Sequence, residues 1–386
     1  MKQIKLLAAT ALFATSMFAN ELEDKVNALI EEVESLKTSK TDAKLSSYTG
    51  LGNAASRVYT QSEKLAIGGY GHTDYVNSID QKNAELDNYR AIIYMGYKFT
   101  DNIIFQSEIE FEHVNQLAVE FAAIDFLVNK ELNFRTGNFI VPVGHVNLQH
   151  EPTLFMNVSR PETERKIIPS TFHENGVMVY GSLGNVDYQF AAISSLNANN
   201  KDDKNETSVR TMRQSGSNSV ANDFAYVARL TYKPINGLQI TTSALTGQVD
   251  QGVASLNGAT VTMAEAHVLY NANNIRFIAL YAANFIGGAD KITALHGTDT
   301  ASETAGYYAT LGYQIGKWTP FIHVESYNES VKNSAGVATT GQDVNWQGIG
   351  VNYNPHAQVV IKADFMNVDN KGTSDDRFSM GIGYIF

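Results

Sequence analysis

The chain has 386 residues, no cysteine, 40 acidic against 29 basic side chains, and a charged fraction of 18%. Disulfides, zinc–thiolate centres and thiol chemistry are excluded, and the net charge of −11 speaks against nucleic acid, whose phosphates need concentrated lysine and arginine. The charged fraction lies below the roughly 25% of ordinary soluble domains, and glycine and tyrosine are abundant instead.

Residues 1–19 combine Lys2 and Lys5, an apolar run from Leu6 to Phe13 and small residues ending at Ala19, the pattern of a cleaved secretory signal peptide. The run is too short for a spanning helix, which needs about 20 apolar residues. Over residues 20–37, Leu22, Val26, Leu29, Val33 and Leu36 form a heptad seam, predicting a short periplasmic coiled-coil helix. Residues 38–63 are rich in Ser, Thr, Gly and Ala and read as a linker.

From residue 64 to the end, apolar and polar residues alternate at period two. Sixteen strands are expected, near 64–75, 88–100, 102–113, 117–128, 131–140, 176–183, 186–196, 223–233, 238–249, 260–270, 275–285, 304–315, 318–328, 344–353, 357–368 and 375–386. Most have the length of a tilted membrane strand. Tight turns such as Thr100-Asp101, Asn129-Lys130 and Gly316-Lys317 alternate with long polar connections such as 197–222. Short turns on one side and long loops on the other are the signature of an all-β, antiparallel transmembrane barrel. A soluble sandwich also alternates, but here Tyr, Phe and Trp gather towards strand ends, as aromatic girdles do.

The last strand alternates Phe378, Met380, Ile382, Tyr384 and Phe386 with small or polar residues. It resembles the C-terminal strand of bacterial outer-membrane proteins, whose terminal Phe, here Phe386, is part of the signal read by the β-barrel assembly machinery.

The connection at 138–176 is different from the others. It holds four of the seven prolines together with Phe139, Val141, Leu148, Leu154, Phe155, Met156, Ile167 and Ile168. Proline excludes one strand or one helix, and the apolar content argues for a packed loop rather than a disordered one. Its sequence, NFIVPVGHVN followed by HEPTLFMNVSRPETERKIIPSTFHENGVMVYG, resembles the constriction segment of the phosphate-selective porin O and P family. That resemblance implies a homotrimer of 16-stranded barrels in outer-membrane lipid of a Gram-negative bacterium, each narrowed by an infolded loop and passing small hydrophilic solutes or ions.

The charges argue against the family's name. Within the loop, Arg160, Arg165 and Lys166 face Glu151, Glu162, Glu164 and Glu174. Counted from the nearest inner turn, Arg135, Arg229 and Arg276 sit low, while Glu108, Glu110, Glu120, Glu265, Glu325 and Asp364 sit near mid-height. The expectation is an acidic constriction above a basic ring, hence a broad diffusion pore with a modest cation preference. Each of these charges has an ion pair that merely holds the loop as its plain reading, and for Arg160, Glu162, Glu164 and Arg165 that role weighs as much as a direct one in selectivity. Phosphate or oxyanion selectivity is one alternative; an adhesive surface barrel working through loop 197–222 is another.

Enzymatic signals are missing. His145, His150 and His173 lack HExxH-like spacing, no GxSxG elbow is present, and Gly69 to Gly71 lie in a strand without a following helix. Neither a metal nor a cofactor is expected.

Overall fold

The structure, a computed structural model, describes residues 51–204 and 206–386. The expected signal peptide, the heptad helix and the first part of the linker fall outside these residues.

Period-two alternation becomes sixteen long antiparallel strands: β1 (Leu65–Ser78), β2 (Asn83–Lys98), β3 (Ile103–Glu112), β4 (Gln116–Leu127), β5 (Asn133–Ile140), β6 (His173–Leu183), β7 (Val186–Ser194), β8 (Phe224–Tyr232), β9 (Leu238–Gln248), β10 (Thr260–Ala272), β11 (Ile275–Gly287), β12 (Glu303–Tyr313), β13 (Trp318–Lys332), β14 (Val344–His356), β15 (Val359–Asn370) and the last strand, Arg377–Ile385. Each pairs with its neighbours in sequence, and the last returns to β1, from Tyr70 opposite Ile385 to Ser78 opposite Arg377. The barrel is therefore closed and has no free edge, the condition for strands to cross a bilayer. A two-residue bridge at Thr373–Ser374 decorates the final outer hairpin.

The outer face carries exposed Ile93, Tyr226, Tyr281, Tyr307, Trp318, Ile349 and Tyr384, while Gln106, Glu108, Thr241, Glu265, Thr310 and Asp364 on the inner face are buried. Apolar outside and polar inside is the reverse of a soluble sandwich.

Two departures from regularity position the lumen. On β4 the pairing with β3 slips between Glu108 and Ile109, which face Phe121 and Val119. The bulge leaves Glu120 unpaired and turns both Glu120 and Phe121 inward, where simple alternation predicts only one. The second departure is N-terminal. Composition places 51–63 in a linker, yet Leu51, Ala54, Ala55 and Val58 are buried and a short helix, Arg57–Thr60, forms there. A Cβ on Gly96 of β2 would lie 2.4 Å from Val58, so glycine lets the segment seat on the inner wall. Its few apolar residues are too diluted by Ser, Thr and Gly to register as composition.

The irregular connection is shorter at both ends than the expected 138–176. Strand β5 runs on to Ile140 and β6 begins at His173, so the irregular part is 141–172. Val141, Val143, Ile167, Ile168 and Phe172 are wholly buried within it, and its contacts reach β3, β8, β11, β13 and β15. It is folded into the lumen.

Candidate functional site

A buried coil lacks the regular backbone pairing of a helix or strand, so side chains must satisfy many of its N–H and C=O groups. Here the barrel wall supplies them. Asp364 accepts the Val158 N–H at 2.7 Å, and Lys362 donates to the Phe155 and Asn157 carbonyls at 2.8 Å each. Asn284 donates to the Ile167 carbonyl and Arg276 to those of Thr153 and Leu154. Glu325 accepts the N–H groups of Glu162 and Thr163, the first residues of a short helix, Glu162–Lys166, whose first-turn donors would otherwise be orphaned.

The loop also ties itself together. The Glu164 carboxylate accepts three successive N–H groups, those of His145, Val146 and Asn147, at 2.9 to 3.1 Å. Gly144 stands just before them at φ 73°, and a Cβ there would meet Glu164 Oε2 at 2.8 Å. Glycine is needed at that turn both for the left-handed backbone and for the close approach. The Asn147 amide bridges the Val141 carbonyl and the Phe172 N–H, joining the two ends of the loop.

These contacts sort the expected site residues. Glu164, Glu265, Glu325, Asp364 and Arg276 grip loop backbone. Glu151 accepts the Ala54 and Ala55 N–H groups and so pins the N-terminal segment to the loop. Arg135 is wholly buried against Asp125, which also receives the hydroxyls of Tyr59 and Tyr180 and the Gln106 amide. Glu174 holds the Gln214 and Ser215 N–H groups of the 195–223 loop, and Lys166 pairs with Glu329 at 3.3 Å. Phe386 exchanges both backbone hydrogen bonds with Gly69.

A basic ring beneath an acidic constriction is not what forms. Arg229 and Glu265 were separated by height when counted from their turns; they meet at 3.7 Å, and both reach Gly144. Both residues sit opposite Ser243, because β8, β9 and β10 are staggered by the barrel's shear.

Open space lies elsewhere. An outer cavity of about 420 Å³ is lined by residues of β1 to β4 on one side and by loop residues on the other, including Glu110, Glu120, Arg160, Glu162, Arg165, Arg210 and Arg213. A small pocket of about 40 Å³ shares Arg160, Glu162 and Arg377 with it and adds Glu325 and Asp364. An inner chamber of about 100 Å³, bordered by Tyr270, Asn271 and Arg276 near an inner turn, shares Asn157 and Pro161 with that pocket. Residues 157–162 are thus the divide between outer and inner space.

Charges around that divide are unequally engaged. Arg90 pairs with Glu110 and Glu112, Arg165 with Glu162, and Arg377 with Asp375. Arg160 instead donates to the His150 carbonyl, and its Nε is buried without a hydrogen-bond partner. Arg210 and Arg213 hold only carbonyls, among them those of Ser170, Pro169 and Thr171. Burial first, then the charge of Arg210, works against the charged form of Arg213.

Residues 209–213 carry little signal in the sequence because their loop is polar overall. Val209 and Met212 beside the arginines are the available signal, and both are buried.

The family model for phosphate-selective porin O and P matches residues 67–381. A protein of Aquifex aeolicus (strain VF5), described as uncharacterized, is 32% identical over 368 residues, which is 88% of this chain and 84% of that protein. Among solved structures, Salmonella typhi OmpF in complex with daunomycin aligns with a TM-score of 0.59 at 14% identity, over 83% of this chain and 97% of its own. The trimer form of Vibrio cholerae OmpT aligns with a TM-score of 0.56 at 12% identity, over 83% and 99%.

Proposed function

The chain belongs to the phosphate-selective porin O and P family and is an outer-membrane porin; from this premise we propose that it is a narrow diffusion channel favouring small anions of oxyanion type. The observation that carries the reading is Arg160. At the small pocket beside residues 157–162, Glu162, Glu325 and Asp364 are each engaged, while Arg160 has no carboxylate partner among the described residues and is held through the His150 carbonyl. A side-chain cation that no carboxylate offsets favours anions at a narrow point, and a guanidinium fits phosphate and carboxylate geometry. Arg210 and Arg213 extend the same potential into the outer cavity.

The modest cation preference expected from the sequence is the competing reading. It keeps one observation in its favour: seven carboxylates, Asp74, Glu85, Asp87, Glu110, Glu112, Glu120 and Glu162, line the outer cavity against six arginines. Assembly as a homotrimer and export by a cleaved signal peptide complete the proposal.

Reversal potentials of the folded protein in planar bilayers under a KCl gradient decide between the two. Chloride permeability above that of potassium, with chloride current reduced by added phosphate, is expected. A potassium preference overturns the anion reading, and folded protein without stepwise conductance overturns the channel itself in favour of an adhesive barrel.

A further inference from the structure

Glu108 on β3, Glu120 on the β4 bulge and His150 of the infolded loop meet in one place. Their relative exposures are 0%, 3% and 2%, so two carboxylates are buried side by side. His150 Nε2 lies 3.2 Å from both Glu108 oxygens and 3.6 Å from Glu120 Oε2. A tetrahedral zinc site with bonds of about 2.1 Å puts its ligand atoms roughly 3.4 Å apart. One donor atom from each residue falls within 4.8 Å of the others.

The histidine's orientation makes the arrangement specific. Its Nδ1 is 3.0 Å from the Asn147 carbonyl, which can only accept, so Nδ1 carries a hydrogen, and in the neutral imidazole Nε2 is then the atom that turns a lone pair towards the two carboxylates. A carbonyl behind the imidazole is the usual way of fixing a metal-ligating tautomer. Three electron-rich atoms aimed at one point repel unless a cation lies between them. Glu120 Oε2 is buried and accepts no hydrogen bond, and the hydroxyl of Tyr70, whose ring stands 5.9 Å from that of His150, also has no partner. Arg90 pairs with Glu110 and Glu112, and its Nη1 makes no hydrogen bond to Glu108 or Glu120. Arg90 and Arg160 act on the same carboxylates from outside the cluster, whereas a dication bound between the three ligand atoms meets both carboxylates directly.

We propose that Glu108, Glu120 and His150 form a binding site for a transition-metal dication of zinc's kind, which fastens the infolded loop to the β3–β4 wall. One nitrogen and carboxylate oxygens suit zinc or manganese better than copper(I) or calcium. The bulge on β4 has a purpose in this site, since it turns Glu120 towards Glu108. Glu120 and Thr171 also line the outer cavity, giving the ion an entry path and a completing water a place. Motif spacing could not reveal the site, because its ligands come from two strands and a loop.

The test uses the full chain, folded in detergent and stripped with EDTA, with folding judged by unheated gel mobility. Isothermal titration with ZnCl₂ is expected to show one zinc per chain, and Glu120→Gln and His150→Gln each to weaken binding by at least about 100-fold. His113→Gln, at an exposed position, leaves it unchanged. X-ray absorption of the zinc-loaded wild-type protein is expected to show one imidazole among oxygen ligands, and this holds as a test even if the variants fail to fold. No stoichiometric uptake, uptake insensitive to both variants, or a shell with several imidazoles overturns the site.

Discussion

The Tyr308 hydroxyl on β12 donates to Glu164 Oε1 of the infolded loop at 2.7 Å, across 144 residues of chain. It is the fourth donor on that carboxylate, after the N–H groups of His145, Val146 and Asn147. Glu164→Ala would leave these buried groups unpaired, at about 1–3 kcal/mol each before relaxation. The loop is expected to detach while the barrel, closed by its own ladder, stays folded. Larger and noisier single-channel currents, with new proteolytic cuts within 141–172, are the outcome; Tyr308→Phe, losing one bond, should cost only about 1 kcal/mol. Unchanged current and protease resistance in Glu164→Ala would count against this role.

Arg229 and Glu265 test whether a lumenal ion pair serves the loop or the permeating ion. Both also contact Gly144, and Glu265 binds Ser243 and His267. Removing one partner of a buried pair costs about 3–5 kcal/mol, because the other charge is left uncompensated. Arg229→Met should therefore lower the temperature at which the barrel loses its compact gel mobility, and Glu265→Gln in the same chain should restore much of it. If the double variant is as unstable as the sum of the singles, the two residues act separately.

Selectivity is expected to follow Arg160. Arg160→Glu reverses the charge beside Glu325 and Asp364 and should turn an anion preference into a cation preference; Arg160→Lys should keep the sign but lessen the block by phosphate, because a lysine cannot present the planar fork. Reversal potentials measure the first, and current inhibition the second. An Arg160→Glu channel with wild-type reversal potential would remove Arg160 from the selectivity mechanism.

Much of the fold was legible because a barrel repeats one rule. Inward and outward residues alternate along every strand, so Ile103, Phe105 and Phe111 could be set against Gln106 and Glu108 without knowing any contact. The prolines marked the one connection unable to be strand. Partners within the lumen were not legible, since they depend on the stagger between strands. Height counted from a turn separated Arg229 from Glu265, whereas the shear of β8 to β10 brings them together. The bulge at Glu120 shifts the inward phase by one position, and its trace in the sequence is slight: the inward polar residue is even-numbered at Glu120 and odd-numbered at Asp125.

The N-terminal segment offers a test of what closes the inner end. Tyr59 donates to Asp125 at 2.6 Å and receives Arg135 Nη2 at 3.2 Å, while Val58 rests on Gly96. Gly96→Val would put branched carbon atoms where Val58 packs, yet it leaves the β1–β2 and β2–β3 ladders their backbone hydrogen bonds. Overpacking of this kind costs about 1–3 kcal/mol, enough to displace a segment anchored by a few side chains. Residues 51–60 are then expected to become cleavable in the folded protein, with a rise in conductance, and Tyr59→Phe should give a weaker form of both changes. If Gly96→Val folds with the segment still protected and the conductance unaltered, the segment is not what narrows the inner mouth.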